Sequence, residues 1–173
     1  MSDTNPVATP APIPTGRLVE GDGGIDLVLT RTLPGTIGDA WASVTAPEKT
    51  ARWLGRWEGV AAPGAMIRLQ MGFEEGTAWQ QVKIVECDAP RLIRVRTFAE
   101  HGSWDLSIEL APAGDHTDLR FVHHGVVPAE AADIGPGWEY YLDQLLAATT
   151  GTPMPNWDDY YPAQKAYFEA QLG

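Results

Sequence analysis

Apolar and polar positions change period three times along the chain. Ile25, Leu27 and Leu29 alternate with mostly polar neighbours as far as Leu33, where Pro34-Gly35 stops the run, so a strand is predicted over 25–33. Ile37, Ala40, Trp41 and Val44 then fall at helical spacing. Thr36 with Asp39 and Thr45 with Glu48 each have the form of a capping box, so two short helices are predicted. Pro47 suits the first turn of the second, which is expected to end near Trp53-Leu54-Gly55. From Met66 to His124 the period is two. Strands are predicted over 66–73, 79–87, 92–98, 104–111 and 118–124, with connections so short that neighbours must be antiparallel. Trp104, Leu106, Ile108 and Leu110 share one face, as do Leu119, Phe121 and His123, while Arg94 and Arg96 point outward. After Gly135-Pro136-Gly137 the helical period returns. Trp138, Tyr141, Leu142, Leu145 and Thr149 form one stripe of a long helix closed by Gly151. A strand, two short helices, an antiparallel meander and a long helix make an α+β layout.

Composition sets the limits around this core. With 44% hydrophobic and 20% charged residues, 173 positions suffice for one globular domain. Residues 1–16 differ: Pro6, Pro10, Pro12 and Pro14 among Ala and Thr predict a disordered leader. The domain is expected over 17–152 and an amphipathic helical extension over 153–173. In that extension Trp157, Tyr160, Tyr161, Gln164, Phe168 and Leu172 lie opposite Asp158, Asp159, Lys165 and Glu169. Such a stripe needs a cover. Three are open: the chain's own surface, with Arg94 and Arg96 receiving the acidic side; a second copy in a homodimer; or the cavity mouth, with the segment as a lid.

Charge and cysteine content narrow the partners. Twelve Lys and Arg against 23 Asp and Glu leave a net charge of -11, which argues against nucleic acid or an anionic membrane surface as partner. No run approaches the roughly 20 apolar residues of a membrane span. The N-terminus, with Asp3 and its prolines, lacks the basic and apolar regions of a signal peptide, and Cys87 is alone. A cytoplasmic location is expected.

Candidate chemistry is sparse. There is no Gly-x-Ser-x-Gly, and Ser43, Ser103 and Ser107 have no suggestive sequence neighbours. Gly135-Pro136-Gly137 lacks the third glycine or the lysine of a phosphate loop. His123 and His124, adjacent on a strand, point to opposite faces, and Cys87 has no spaced partner, so neither a metal nor a cofactor is expected. His123 shares the inward face with Leu119 and Phe121. It reads as a core histidine bonded to a neighbour, as a polar contact to a ligand, or as a proton-transfer group. Trp104 and Trp138 are expected near a cavity and Trp79 on the outer face.

The order and spacing of several segments resemble a known family. They are Pro34 after the first strand, Ala40-Trp41, Val44-Thr45-Ala46-Pro47-Glu48 leading to Trp53, and Glu86-Cys87-Asp88-Ala89-Pro90-Arg91-Leu92. Thr117-Asp118-Leu119-Arg120-Phe121-Val122-His123-His124-Gly125 and Gly137-Trp138 with Leu142 and Leu145 complete the set. Over about residues 24–151 the chain is similar to bacterial members of the family named after the activator of heat-shock-protein-90 ATPase, in the START/SRPBCC superfamily. That resemblance implies a helix-grip fold, a curved antiparallel sheet around the long C-terminal helix with a cavity between them. Superfamily members bind lipids, sterols, quinones or polyketides; some cyclise polyketides, and some form ring-hydroxylase catalytic domains. The Asn- and Trp-rich signature of the eukaryotic co-chaperone is missing, since Asn5 and Asn156 are the only asparagines. The expectation is a binding module for a small, mostly apolar ligand (lipid, polyketide or quinone-like). Trp104, Leu106, Ile108, Leu119, Phe121 and His123 would contact it from strands, and Trp138, Tyr141, Leu142 and Leu145 from the helix. The alternatives are a cavity enzyme, cyclase or hydrolase-like, using His123, and a co-chaperone-type interaction domain.

Overall fold

The computed structural model describes residues 10–173 except Glu75, Thr77, Glu100 and His101; residues 1–9 of the expected leader lie outside the described residues. A hairpin of β1 (Arg17–Gly21) and β2 (Gly24–Pro34) leads into two short helices, α1 (Ile37–Thr45) and α2 (Pro47–Thr50). A meander follows: β3 (Gly55–Glu58), β4 (Met66–Met71), β5 (Trp79–Asp88), β6 (Leu92–Ala99), β7 (Gly102–Ala113) and β8 (His116–His124). Helices α3 (Ala131–Thr150) and α4 (Lys165–Gln171) complete the chain. The strands form one eight-stranded antiparallel sheet in the order β1-β2-β8-β7-β6-β5-β4-β3. This is the helix-grip α+β fold.

Register explains the inner face. One cross-strand row runs Ile84, Val95, Leu106, His123, Leu27, and the next runs Cys87, Ile93, Ile108, Phe121, Leu29. Strict alternation from Ile84 would turn Cys87 outward. The register shift between Ile84 and Glu86 keeps it in line with Ile93, as a bulge does. Helix α3 covers the β2–β8 half of this face, with Leu142 and Leu145 fully buried against Leu27, Leu29 and Leu119 in one core.

Local chemistry sets the helix ends. Thr36 Oγ1 accepts from Asp39 N (3.2 Å) while Asp39 Oδ2 accepts from Thr36 N (3.3 Å), so the first capping box forms. The second does not. Thr45 Oγ1 donates to Trp41 O at 2.6 Å, the N-cap falls on Ala46 without a side-chain bond, and α2 is a single turn. Helix α3 begins at Ala131, four residues before the expected Gly135, and carries Pro136 inside it. Gly135 is not a helix start: a Cβ there would lie 2.7 Å from the Phe168 ring. Gly151, at φ 71°, closes the helix.

The extension folds back on its own chain. It is not one helix but a 3-10 turn at Trp157–Asp159 followed by α4. Phe168, Tyr160 and Gln164 are buried, while Trp157 and Leu172 remain exposed. Its charged contacts are with α3 and not with Arg94 and Arg96. Lys165 Nζ meets Asp133 Oδ1 at 2.9 Å, whereas Arg94 and Arg96 pair with Asp105 across the outer face. Glu139 of α3 ties in the N-terminal side. Its Oε1 accepts from Thr15 N and Gly16 N, both at 2.6 Å, and its Oε2 accepts from Arg31 at 2.7 Å. Arg31 also donates to Asp143 Oδ1, whose other oxygen accepts from Tyr160 OH. Burial works against the Arg31 charge, but the two carboxylates outweigh it and hold the guanidinium above its usual range.

Candidate functional site

Where α3 does not reach, the sheet and the short helices enclose a cavity of about 510 Å³. Its floor is Ile67, Leu69, Val82, Ile84, Ile93 and Val95 from β4 to β6, continued by Leu106 and Ile108 of β7. Its roof is Trp41, Val44 and Trp53, with Trp57 of β3 at one side and Trp138 and Leu142 of α3 at the other. The wall is mostly carbon, and the reason is visible residue by residue. Three of the four indole N–H groups are already spent: Trp53 donates to Ser43 O (2.9 Å), Trp57 to Thr45 O (2.8 Å) and Trp138 to His123 Nδ1 (3.2 Å). So are the hydroxyls of Thr45 and Thr50, each bonded to a backbone carbonyl, and that of Ser107, which pairs with His124. The free thiol of Cys87 also borders the space.

Of the ten contacts expected from sequence, the structure brings five to this wall: Leu106, Ile108, Phe121, Trp138 and Leu142. Leu119 and Leu145 are buried where α3 meets the sheet and do not border it. Trp104 and Tyr141 line a second hollow, of about 600 Å³, beyond Trp138. The cavity therefore lies nearer the short helices than the helix stripe implied, because α3 fills the space over β2 and β8. The missing wall residues were present in the sequence as the alternations Val82/Ile84 and Ile93/Val95. Which strands α3 would leave uncovered was not.

His123 borders neither space. It is buried, with its ring centroid 4.9 Å from that of Trp104. The Trp138 N–H bond to Nδ1 assigns the ring proton to Nε2. Burial, reinforced by His124, lowers its pKa to about 4, so the ring is neutral at pH 7. His124 lies on the opposite face. Its Nε2 is 2.9 Å from Ser107 Oγ and its Nδ1 is 3.6 Å from Asp26 Oδ2, a Ser–His–Asp string that sequence spacing did not reveal. Ser107 is buried mid-strand between β6 and β8, where sheet pairing occupies the backbone N–H groups that an oxyanion would need. Among the described residues no three His, Cys, Asp or Glu side chains gather to hold a metal ion. Nor is any helix among them long and apolar enough to cross a membrane.

Comparison with known proteins agrees with this architecture. CalU16 from Micromonospora echinospora superposes with a TM-score of 0.73 at 18% identity, covering 92% of this chain and 97% of that one. The protein encoded by BPP1335 of Bordetella parapertussis gives 0.70 at 23% identity, covering 94% and 92%. DynU16, from the dynemicin biosynthetic locus, gives 0.65 at 19% identity, covering 76% of this chain and 49% of its own. At such identities the likeness is one of fold. No curated protein matches the chain in sequence. Residues 35–150, more than half of the chain, match the family described as Activator of Hsp90 ATPase homolog 1-like protein, and the chain belongs to that family.

Proposed function

We propose that the protein is a binding module that holds a small, mostly apolar molecule, lipid, polyketide or quinone-like, in the 510 Å³ cavity. The observation that carries this reading is the commitment of most of the wall's polar side chains, three indoles and three hydroxyls, to protein partners. A guest would meet indole and aliphatic carbon, and its affinity would come from apolar area removed from water. The volume falls in the usual range of ligand sites, about 300–1,000 Å³. The same commitment favours binding over a cyclase or hydrolase, because His123 stands off the wall, neutral and bonded to an indole. A cytoplasmic location accompanies this reading, given the lone cysteine.

The test is titration with the neutral apolar probe N-phenyl-1-naphthylamine, followed by its own fluorescence, for the parent and for Leu106→Trp. Leu106 lies on the cavity floor, and an indole there would occupy the guest's space. The parent should bind saturably and the folded variant should not. Equal binding by both would place the guest elsewhere and end the proposal. Mass spectrometry of the organic extract of native protein then names the natural ligand.

A further inference from the structure

The second hollow has a different chemistry. Its wall carries a continuous string of five rings, Trp104, Trp138, Tyr141, Tyr140 and Trp157, with successive centroids 6.1, 6.0, 5.7 and 5.2 Å apart. The planes of neighbouring rings are inclined by 61°, 53°, 63° and 73°, so none of these neighbours stack face to face. Trp104 and Trp157 are 41% and 40% exposed, which packing alone does not require of such large rings. Among the described residues, the charged groups on the wall are carboxylates, Glu74 and Asp133, and no basic side chain lines it. Asp133 is already matched by Lys165. Glu74 accepts a hydrogen bond from Tyr141 OH at 2.7 Å, and no Lys, Arg or His among the described residues pairs with it.

We infer that this hollow is a binding site for a small organic cation, a quaternary ammonium or protonated amine, seated among the rings with Glu74 as its counter-charge. Ring faces are negative and attract cations, an effect that grows as the site excludes water. The fold displays the same chemistry next door. Lys165 Nζ lies 5.5 Å from the Tyr161 ring centre and 2.9 Å from Asp133, an ammonium held by an aromatic face and a carboxylate. An overall charge of -11 draws cations toward the surface and repels anions. Among the described residues the hollow and the apolar cavity share only Trp138, so this inference does not depend on what the cavity holds.

The test uses benzyltrimethylammonium and its neutral isostere neopentylbenzene, titrated against the full-length protein with tryptophan fluorescence and a calorimetric check. The cation should bind about tenfold or more tightly than the isostere. Glu74→Gln, at an exposed position, should weaken the cation about fivefold and leave the isostere unchanged. Trp157→Ala should weaken the cation with melting temperature preserved. Leu106→Trp should leave cation binding intact, which separates this site from the apolar cavity. Equal affinity for cation and isostere, or an unchanged cation affinity in Glu74→Gln, overturns the assignment.

Discussion

Glu139→Ala removes a carboxylate whose side chain is 1% exposed and which joins three parts of the chain. The residue before β1 loses its acceptor, as does Thr15, and Arg31 loses one of its two carboxylates. Breaking one partner out of a buried pair costs about 3–5 kcal/mol, because the remaining charge is left in a poor solvent. Two features keep the loss within that range: Arg31 retains Asp143, and Thr15 is exposed enough to bond water. Glu139→Gln keeps an oxygen for the two N–H groups but sets an amide N–H₂ against the guanidinium. It forfeits one charge-assisted bond, about 1.5–3 kcal/mol. The expected order of stability is parent, Gln variant, Ala variant. Urea unfolding followed by tryptophan fluorescence gives the differences, and trypsin cleavage after Arg17 reports release of the N-terminal segment. If the Ala variant unfolds within about 1 kcal/mol of the parent and Arg17 stays protected, the network holds nothing together and the reasoning fails.

Other predictions follow from single groups. The unfolded chain's histidine titrates near 6.5, whereas folded His123 does so at about 4, so the unfolded state binds more protons between those values. Stability should therefore fall by about 3 kcal/mol as pH drops from 6.5 to 4, and His123→Phe should flatten that slope in pH-resolved urea titrations. Phe168→Ala should cost about 3–5 kcal/mol, and deleting residues 156–173 should lower the melting temperature further and raise dye binding. A truncated protein with unchanged melting would make the extension an appendage. Gly135→Ala should destabilise by about 1–3 kcal/mol through the clash with the Phe168 ring, and combining it with Phe168→Ala should recover part of that loss. Strict additivity of the two costs would refute the clash.

What was legible in the sequence was whatever repeats locally. The meander strands and the stripe Trp138, Tyr141, Leu142, Leu145 each carry several periods, and they appear within a few residues of the expected places. Strand β3 has four residues, too few to show a period, and β1 is an edge strand with Val19 exposed, so neither announces itself. Thr45 had two possible acceptor or donor roles, and only the geometry of α1 decides that its hydroxyl turns back to Trp41. Gly135 looked like punctuation, but a ring 33 residues later in the chain explains it. The same non-locality moved the cavity: periodicity finds inward faces, whereas the space left between them depends on where α3 lies.

The bonds from Gln171 have a topological consequence. Its Oε1 accepts from Leu18 N at 2.9 Å and its Nε2 donates to Gly16 O at 3.0 Å, while Gln164 reaches Pro12 O. Residues 12–18 and 164–171 therefore run side by side, far apart in sequence and adjacent in space. A short glycine–serine linker would join them without disturbing α3, and the exposed β7–β8 turn at Gly114, at φ 67°, offers a place to open the chain instead. A circular permutant beginning at Asp115 would start with β8 and finish with β7, and the two would still lie side by side in the sheet. The long helix would then be made before all the strands but β8. A permutant that folds with the cavity intact would show that the grip of sheet on helix belongs to the arrangement of the parts and not to which of them is made first.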